Sequence, residues 1–167
     1  ARPDRVSLEP VLLNEVLDSC VYAVQHYEDL EIHMSITEQL VVMADEVELS
    51  RVISNLLENA RRYARSEDTN MAVVDISAKA WDDWVMVKIR DHGAGVPPEL
   101  LPELTKPFFR GDAARSAAAG AGLGLAIVAK TVQRMGGLFA LANTSSGGLA
   151  AHIQLHRAPR ATGSGTI

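Results

Sequence analysis

The chain has 167 residues, of which 47% are hydrophobic and 22% charged, and carries a net charge of −5. That is one globular domain able to bury about two-thirds of its unfolded surface without staples, and its acidic balance argues against sequence-independent nucleic-acid binding, which needs a basic footprint. The single cysteine, Cys20, excludes an internal disulfide and a cysteine-based metal site, so a reducing compartment is the default.

The most apolar stretch, residues 117–129, holds three glycines and falls short of the roughly 20 apolar residues of a membrane span. No signal-peptide pattern opens the chain, and the abrupt start ARPDRVSLEP reads as a piece of a longer protein.

In chain order, residues 6–9 predict a short strand. From residue 11 the spacing of Leu12, Leu13, Val16, Leu17, Cys20, Val21 and Val24 predicts a helix, with Cys20 as a small buried core residue. Residues 30–36 alternate like a strand, and residues 40–43 form a second apolar run. Asp45, with Glu48 three residues on, caps a long helix in the manner of a capping box; its apolar face is Val52, Ile53, Leu56, Leu57, Ala60, Tyr63 and Ala64. Residues 71–77 and 84–90 read as strands joined through KAWDD. Residues 110–122 are small and flexible and read as a mobile loop. Residues 123–135 return to a helical pattern, stopped by Gly136-Gly137. A last hairpin spans residues 138–143 and 149–155, and residues 158–167 read as a flexible tail. Helices alternating with paired strands predict an α/β two-layer sandwich over residues 1–157.

Four motifs could carry chemistry. On the long helix, Asn55, Asn59 and Arg62 share a sector flanking the apolar stripe. Amide oxygens suit Mg²⁺ and a guanidinium suits phosphate, although the same residues could simply solvate a helix flank. In DHGAG, Asp91 stands at a strand end, where a carboxylate can accept from an exocyclic amine. Gly93 and Gly95 allow close backbone approach there; an ordinary turn would look similar. In GAGLGLAIVAK, Gly120, Gly122 and Gly124 open a helix whose free N–H groups could bind phosphate. Leu125 occupies the position where a dinucleotide fingerprint needs glycine, and no P-loop lysine follows. In KPFFRGD, Phe108 and Phe109 would anchor the loop and Arg110 could reach a terminal phosphate. His92 reads as an exposed turn residue. His26, His33, His152 and His156 have no metal-ligand spacing; His152 and His156 share a strand face but lack a third ligand. Neither a serine nucleophile elbow nor a Cys–His pair is present.

The order of NLLENARRYA, DHGAG, PFFRGD and GLGLAIV resembles the catalytic ATP-binding domain of bacterial sensor histidine kinases, within the superfamily that includes gyrase, Hsp90 and MutL. FFRGDAAR…GAGLGLAIV looks most like the osmosensor-type kinases of Gram-negative bacteria. The similarity runs from about Val6 to Leu155. It implies a Bergerat-type fold: a mixed, mostly antiparallel sheet of about five strands backed by about three helices, with a mobile ATP lid over residues 97–120. It implies ATP and Mg²⁺ as ligands, with Asn59 holding the metal and Asn55 assisting. Arg62, where the family commonly has lysine, would face phosphate. Tyr63 would pack on adenine or, equally, in the core. Asp91 would take the adenine amino group, with Gly93 and Gly95 shaping that pocket. Gly120, Gly122, Leu123, Gly124 and Leu125 would meet the phosphates, and Phe109 and Arg110 would belong to the lid.

The family's acceptor histidine sits on a separate dimerisation hairpin. Only His26, in QHYED, is closely followed by acids here, and it lacks the usual Arg-Thr-Pro. The acceptor domain is therefore read as lying outside this chain, just before Ala1. The resemblance further implies a response regulator downstream, no membrane contact by this domain, a monomeric isolated domain, and a cytoplasmic place within an inner-membrane kinase. Three alternatives stand beside it: a nucleotide-binding regulatory module without transfer, a serine-directed anti-sigma kinase of the same superfamily, and a protein-interaction domain with purely structural glycines.

Overall fold

The computed structural model of the protein describes residues 5–106 and 116–159, with side chains in the second stretch from residue 124 onward. The elements follow one another as β1 (Glu9–Leu12), α1 (Leu13–Val24), β2 (Leu30–Ser35), β3 (Val41–Ala44), α2 (Glu46–Tyr63), β4 (Ala72–Trp81), β5 (Trp84–Asp91), a 3-10 helix (Pro98–Glu103), α3 (Ser116–Arg134), β6 (Leu138–Asn143) and β7 (Leu149–His156). This is the predicted order, but the first strand lies later than expected, at Glu9–Leu12 instead of residues 6–9, and the first helix accordingly starts at Leu13 instead of residue 11.

Five strands form the main sheet in the order β2-β4-β5-β7-β6; β2 runs parallel to β4 and every other pairing is antiparallel. β1 and β3 pair separately as a small antiparallel ribbon. The β4–β5 hairpin is longer than the sequence suggested. Its ladder runs to Trp81 opposite Trp84, so the connection is Asp82 and Asp83 alone. Asp82 takes φ +53, a left-handed conformation that Asp tolerates in tight turns.

Period-two alternation decides which face is covered. Val74, Ile76, Val85, Val87, Ile89, Ile153 and Leu155 are buried toward the helices, while Lys79, Met86, Lys88, His152 and Gln154 alternate with them toward the opposite face. On that opposite face His156 stacks on Trp84 at 4.2 Å. Among the described residues no cluster of His, Cys, Asp or Glu is able to hold a metal.

α2 organises the core. Leu49, Val52, Ile53, Leu56, Leu57 and Ala60 are buried, and each large aliphatic side chain contributes about 1.5–3 kcal/mol on burial. α2 packs on α1, α3 and β4. Asp45 caps it, accepting from the Glu48 N–H at 3.2 Å, while its other oxygen accepts from the Ser7 N–H at 2.9 Å. Those two N–H groups hold the Asp45 carboxyl below the usual carboxylate range, that of Ser7 foremost. Only half of the capping box forms, because the Glu48 carboxylate turns to Arg51 at 3.0 Å. At the far end, Asp29 binds Arg61 at 2.9 Å and Arg65 at 2.6 Å, and the Arg61 guanidinium lies 3.7 Å over the Tyr27 ring. These contacts fix the end of α2 against the start of β2. Cys20 is buried as expected, donating weakly to the Ser50 carbonyl and accepting from the Ser54 hydroxyl.

α3 begins at Ser116, seven residues before the predicted Leu123. Ala117, Ala118 and Ala119 explain the extension, since alanine is the strongest helix former. Residues 116–122, expected in the loop, are therefore helical. Phe108, Phe109 and Arg110 lie outside the described residues, as do the tail residues from 160 on. Among the described residues no helix is long and apolar enough to cross a membrane.

Candidate functional site

One cavity of about 540 Å³ opens between the C-terminal half of α2, the helix-facing side of the sheet and the loop after β5. Asn59, Arg62 and Tyr63 reach it from α2, Asp91, Gly93 and Gly95 from the end of β5 and its loop, and Leu125 from α3. Seven of the sequence-predicted residues therefore line one space.

Asp91 closes β5. Its Oδ1 accepts from the Gly93 N–H at 2.9 Å and from the Leu149 N–H at 3.1 Å. Oδ2 has no donor among the described residues and remains available to a ligand. Burial pushes the Asp91 carboxyl above its ordinary range, and the two N–H groups, with His92 and Arg90, partly offset that rise. Two glycines make the arrangement possible. A Cβ on Gly93 would meet Ala64 at 2.9 Å, and a Cβ on Gly148 (φ +94) would overlap the Asp91 carbonyl oxygen. Arg90 fastens the same β6–β7 turn from the other face, donating to the Ser146 hydroxyl at 2.7 Å and to the Gly147 carbonyl at 2.8 Å. His92 is turned away from the cavity, 2.7 Å from Asp75.

The α2 end of the cavity is less satisfied. The Asn59 Nδ2 group is buried and has no hydrogen-bond partner among the described residues. A buried amide without a partner is costly, and such groups call for an explanation. A Cβ on Gly124 would approach Asn55 Oδ1 to 3.1 Å and Asn59 Nδ2 to 3.7 Å, so glycine there leaves room beside both amides. The amides fit a hard cation, since rotation about the terminal bond presents Asn59's oxygen to the same space. Arg62 is 62% exposed and, among the described residues, pairs only with Glu58, at 3.3 Å. It is free to swing toward an anion. Tyr63 is 43% exposed and lines the cavity, so it does not pack in the core.

The reading of Gly120, Gly122 and Gly124 as the opening of a helix requires correction. All three lie inside α3, which starts at Ser116, so a free helix N-terminus is not located at Gly124. The position of Gly124 follows from its closeness to Asn55 and Asn59 instead. The backbones of Gly122 and Leu123 are helical as well.

Sequence reasoning missed the apolar wall. Ile89, Leu141, Leu149 and Ala151 line the cavity from three strands, Leu100 from the 3-10 helix and Leu104 from the residue that follows it. Ile89 was legible in principle, because it shares a strand face with Asp91 two residues on. The others come from distant segments with no local signal.

The sequence model of the Histidine kinase-, DNA gyrase B-, and HSP90-like ATPase family matches residues 44–159. The sensor histidine kinase Hik2 of Synechocystis sp. (strain PCC 6803) is 35% identical over 157 residues, covering 87% of this chain and 35% of Hik2. The histidine-protein kinase/phosphatase MprB of Mycolicibacterium paratuberculosis is 32% identical over 142 residues, covering 84% of this chain and 26% of MprB. The chain thus spans about a third or less of the length of these relatives. Among solved structures, a mycobacterial sensor histidine kinase MprB superposes with a TM-score of 0.74 at 29% identity, covering 92% of this chain and all of that one. Full-length ShkA in complex with AMPPNP superposes with a TM-score of 0.76 at 25% identity, covering 95% of this chain and 33% of ShkA.

Proposed function

The chain belongs to the histidine kinase-, DNA gyrase B- and HSP90-like ATPase family, as an ATP-binding domain of the sensor histidine kinase type, and from that premise we propose that it binds ATP with Mg²⁺ and donates the γ-phosphoryl group to a histidine on a separate dimerisation domain. The observation that carries this reading is the convergence on one cavity of an Asp91 carboxylate oxygen and a buried Asn59 amide that have no hydrogen-bond partner among the described residues. A ligand with an amine-bearing base at one end and metal-chelated phosphates at the other suits both ends at once.

In this reading Asp91 Oδ2 accepts from the adenine amino group, and Gly93 and Gly95 let the backbone approach the ring. Tyr63, Ile89, Leu141 and Ala151 cover its faces. Asn59 and Asn55 would hold Mg²⁺, which when bound neutralises phosphate charge in phosphoryl transfer. Arg62 would leave Glu58 for a phosphate oxygen, and Arg110, by its place in the sequence, would add a second positive charge. Gly122 and Gly124 would keep the α3 backbone close to that end. Protein groups that position and neutralise supply most of the catalysis in such transfers. The partner's imidazole nitrogen attacks the γ-phosphorus and the bond to the β–γ bridging oxygen breaks. ADP leaves, and the imidazole proton passes to a base on the partner.

Calorimetry tests the binding step. ATP should bind the wild type more tightly with Mg²⁺ than without, and Asp91→Ala should abolish binding. Labelled ATP then tests transfer: phosphohistidine should form when the dimerisation domain is supplied and not on this chain alone. A folded wild type that binds no ATP would overturn the whole reading. Binding without transfer to that domain would leave a regulatory nucleotide module.

A further inference from the structure

Asn143, the last residue of β6, makes an unusual pair of contacts. Its Nδ2 donates to the Val96 carbonyl at 2.7 Å, and its Oδ1 accepts from the Val96 N–H at 3.0 Å. One side chain thereby satisfies both backbone groups of a residue 47 positions away, as a neighbouring strand would. Val96 sits between Gly95 and Pro97, and all three line the cavity. Gly95 has φ +74, and a Cβ there would come within 2.7 Å of Asn143 Oδ1. The glycine and the amide are packed for one another. Among the described residues, this clamp is the one tie between the backbone of residues 95–97 and another strand.

We propose that Asn143 is a positioning residue for nucleotide binding, acting through Val96 to preform the cavity wall that residues 95–97 provide. This rests on the nucleotide reading of the cavity. Asn143 does not line the cavity itself, so its effect passes through the loop. Without the clamp, the wall is ordered only when the ligand arrives, and that ordering subtracts from affinity. With it, the loop leaving β5 is already set at the edge of the base end, beside Asp91.

The test compares wild type, Asn143→Ala and Asn143→Asp in the full chain by ADP calorimetry, amide hydrogen exchange and ligand-free thermal unfolding. Alanine removes both bonds. Aspartate keeps the shape and the acceptor for the Val96 N–H but turns an oxygen on the Val96 carbonyl. Both variants should bind ADP about tenfold more weakly, as expected for one or two ordinary hydrogen bonds. In Asn143→Ala, exchange should speed up for the amides of residues 95 and 96 and stay unchanged in β5 and β7. Equal ADP affinity in all three proteins would overturn the proposal. So would faster exchange spread through β5 and β7 with a matching fall in the unfolding midpoint, because the amide would then be a general structural support. If the wild type bound no ADP, the nucleotide reading and the role resting on it would both fail, while exchange at Val96 would still report whether the clamp exists.

Discussion

The two ends of the cavity are built differently. At the Asp91 end, the fixed backbone contacts are made: Oδ1 holds the Gly93 and Leu149 N–H groups, Gly148 lies against the Asp91 carbonyl, and Arg90 pins the β6–β7 turn through its terminal nitrogen, while its buried Nε has no partner among the described residues and Asp91 Oδ2 stays open. At the α2 end, among the described residues, Asn59 leaves a buried amide without a partner, and Arg62 is exposed and held by one carboxylate. The backbone around Asp91 is preorganised by the fold, whereas the groups that face the cavity at the α2 end are left for a ligand to complete. Preorganised contacts bind without further ordering, whereas unsatisfied polar groups hold back stability that a ligand can return.

Substitutions can break or sharpen that contrast. The largest effect is expected from Gly148→Ala, which drives a methyl group into the Asp91 backbone at a left-handed φ. It should cost about 3 kcal/mol in denaturant unfolding and remove nucleotide binding, since Leu149 would be displaced from Asp91. Asn59→Ala should act oppositely. It removes a group that the ligand-free protein does not satisfy, so unfolding free energy should change by no more than about 1 kcal/mol, while ATP affinity loses its dependence on Mg²⁺. A large loss of stability in Asn59→Ala would erase the distinction between the two ends.

Asp91→Asn sharpens the contrast through pH. Burial raises the carboxyl's pKa in the fold, so the folded state binds its proton more readily than the unfolded chain. Between the unfolded and folded pKa values stability therefore falls as pH rises, and the full penalty of the buried charge is present above the folded pKa. The amide keeps an acceptor for Gly93 and Leu149 without that charge. Asp91→Asn should thus unfold at a higher temperature than wild type at neutral pH, and the difference should shrink on acidification through the Asp91 pKa, as read by thermal melts across pH. It should also bind ATP weakly. The smallest effect on the fold is expected from Arg62→Ala, within about 0.5 kcal/mol by denaturant unfolding because its pair with Glu58 is exposed. Any loss of ATP affinity in that variant then reports a contact made only to the ligand.

Much of this was legible in the sequence, for physical reasons that differ along the chain. Periodicity exposed the buried face of α2, and apolar runs bounded by turn residues exposed β4, β5 and β7, because those patterns are local. Asp91 was legible because DHGAG, which alone could be an ordinary turn, stands in a fixed order with NLLENARRYA, PFFRGD and GLGLAIV. The start of α3 was misread because glycines at 120, 122 and 124 look like a loop, whereas three preceding alanines and packing of the later turns favour helix. Tyr63 fitted both an apolar stripe and a ligand contact, and only the position of the cavity separates them. Asn143 and Leu149 were invisible. Their contacts to Val96 and Asp91 cross 47 and 58 residues and depend on which strands become neighbours.

The most direct test of the two-ended site is a ¹H–¹⁵N spectrum titrated first with ADP and then with Mg²⁺. ADP alone should shift the backbone amides of Gly93, Val96 and Leu149. Added Mg²⁺ should then shift the side-chain amides of Asn55 and Asn59 and leave the Asp91 end unmoved. Shifts concentrated on the open face of the sheet around Lys88 and His152, or a Mg²⁺ response at Gly93 and Leu149 with none at Asn59, would contradict the account.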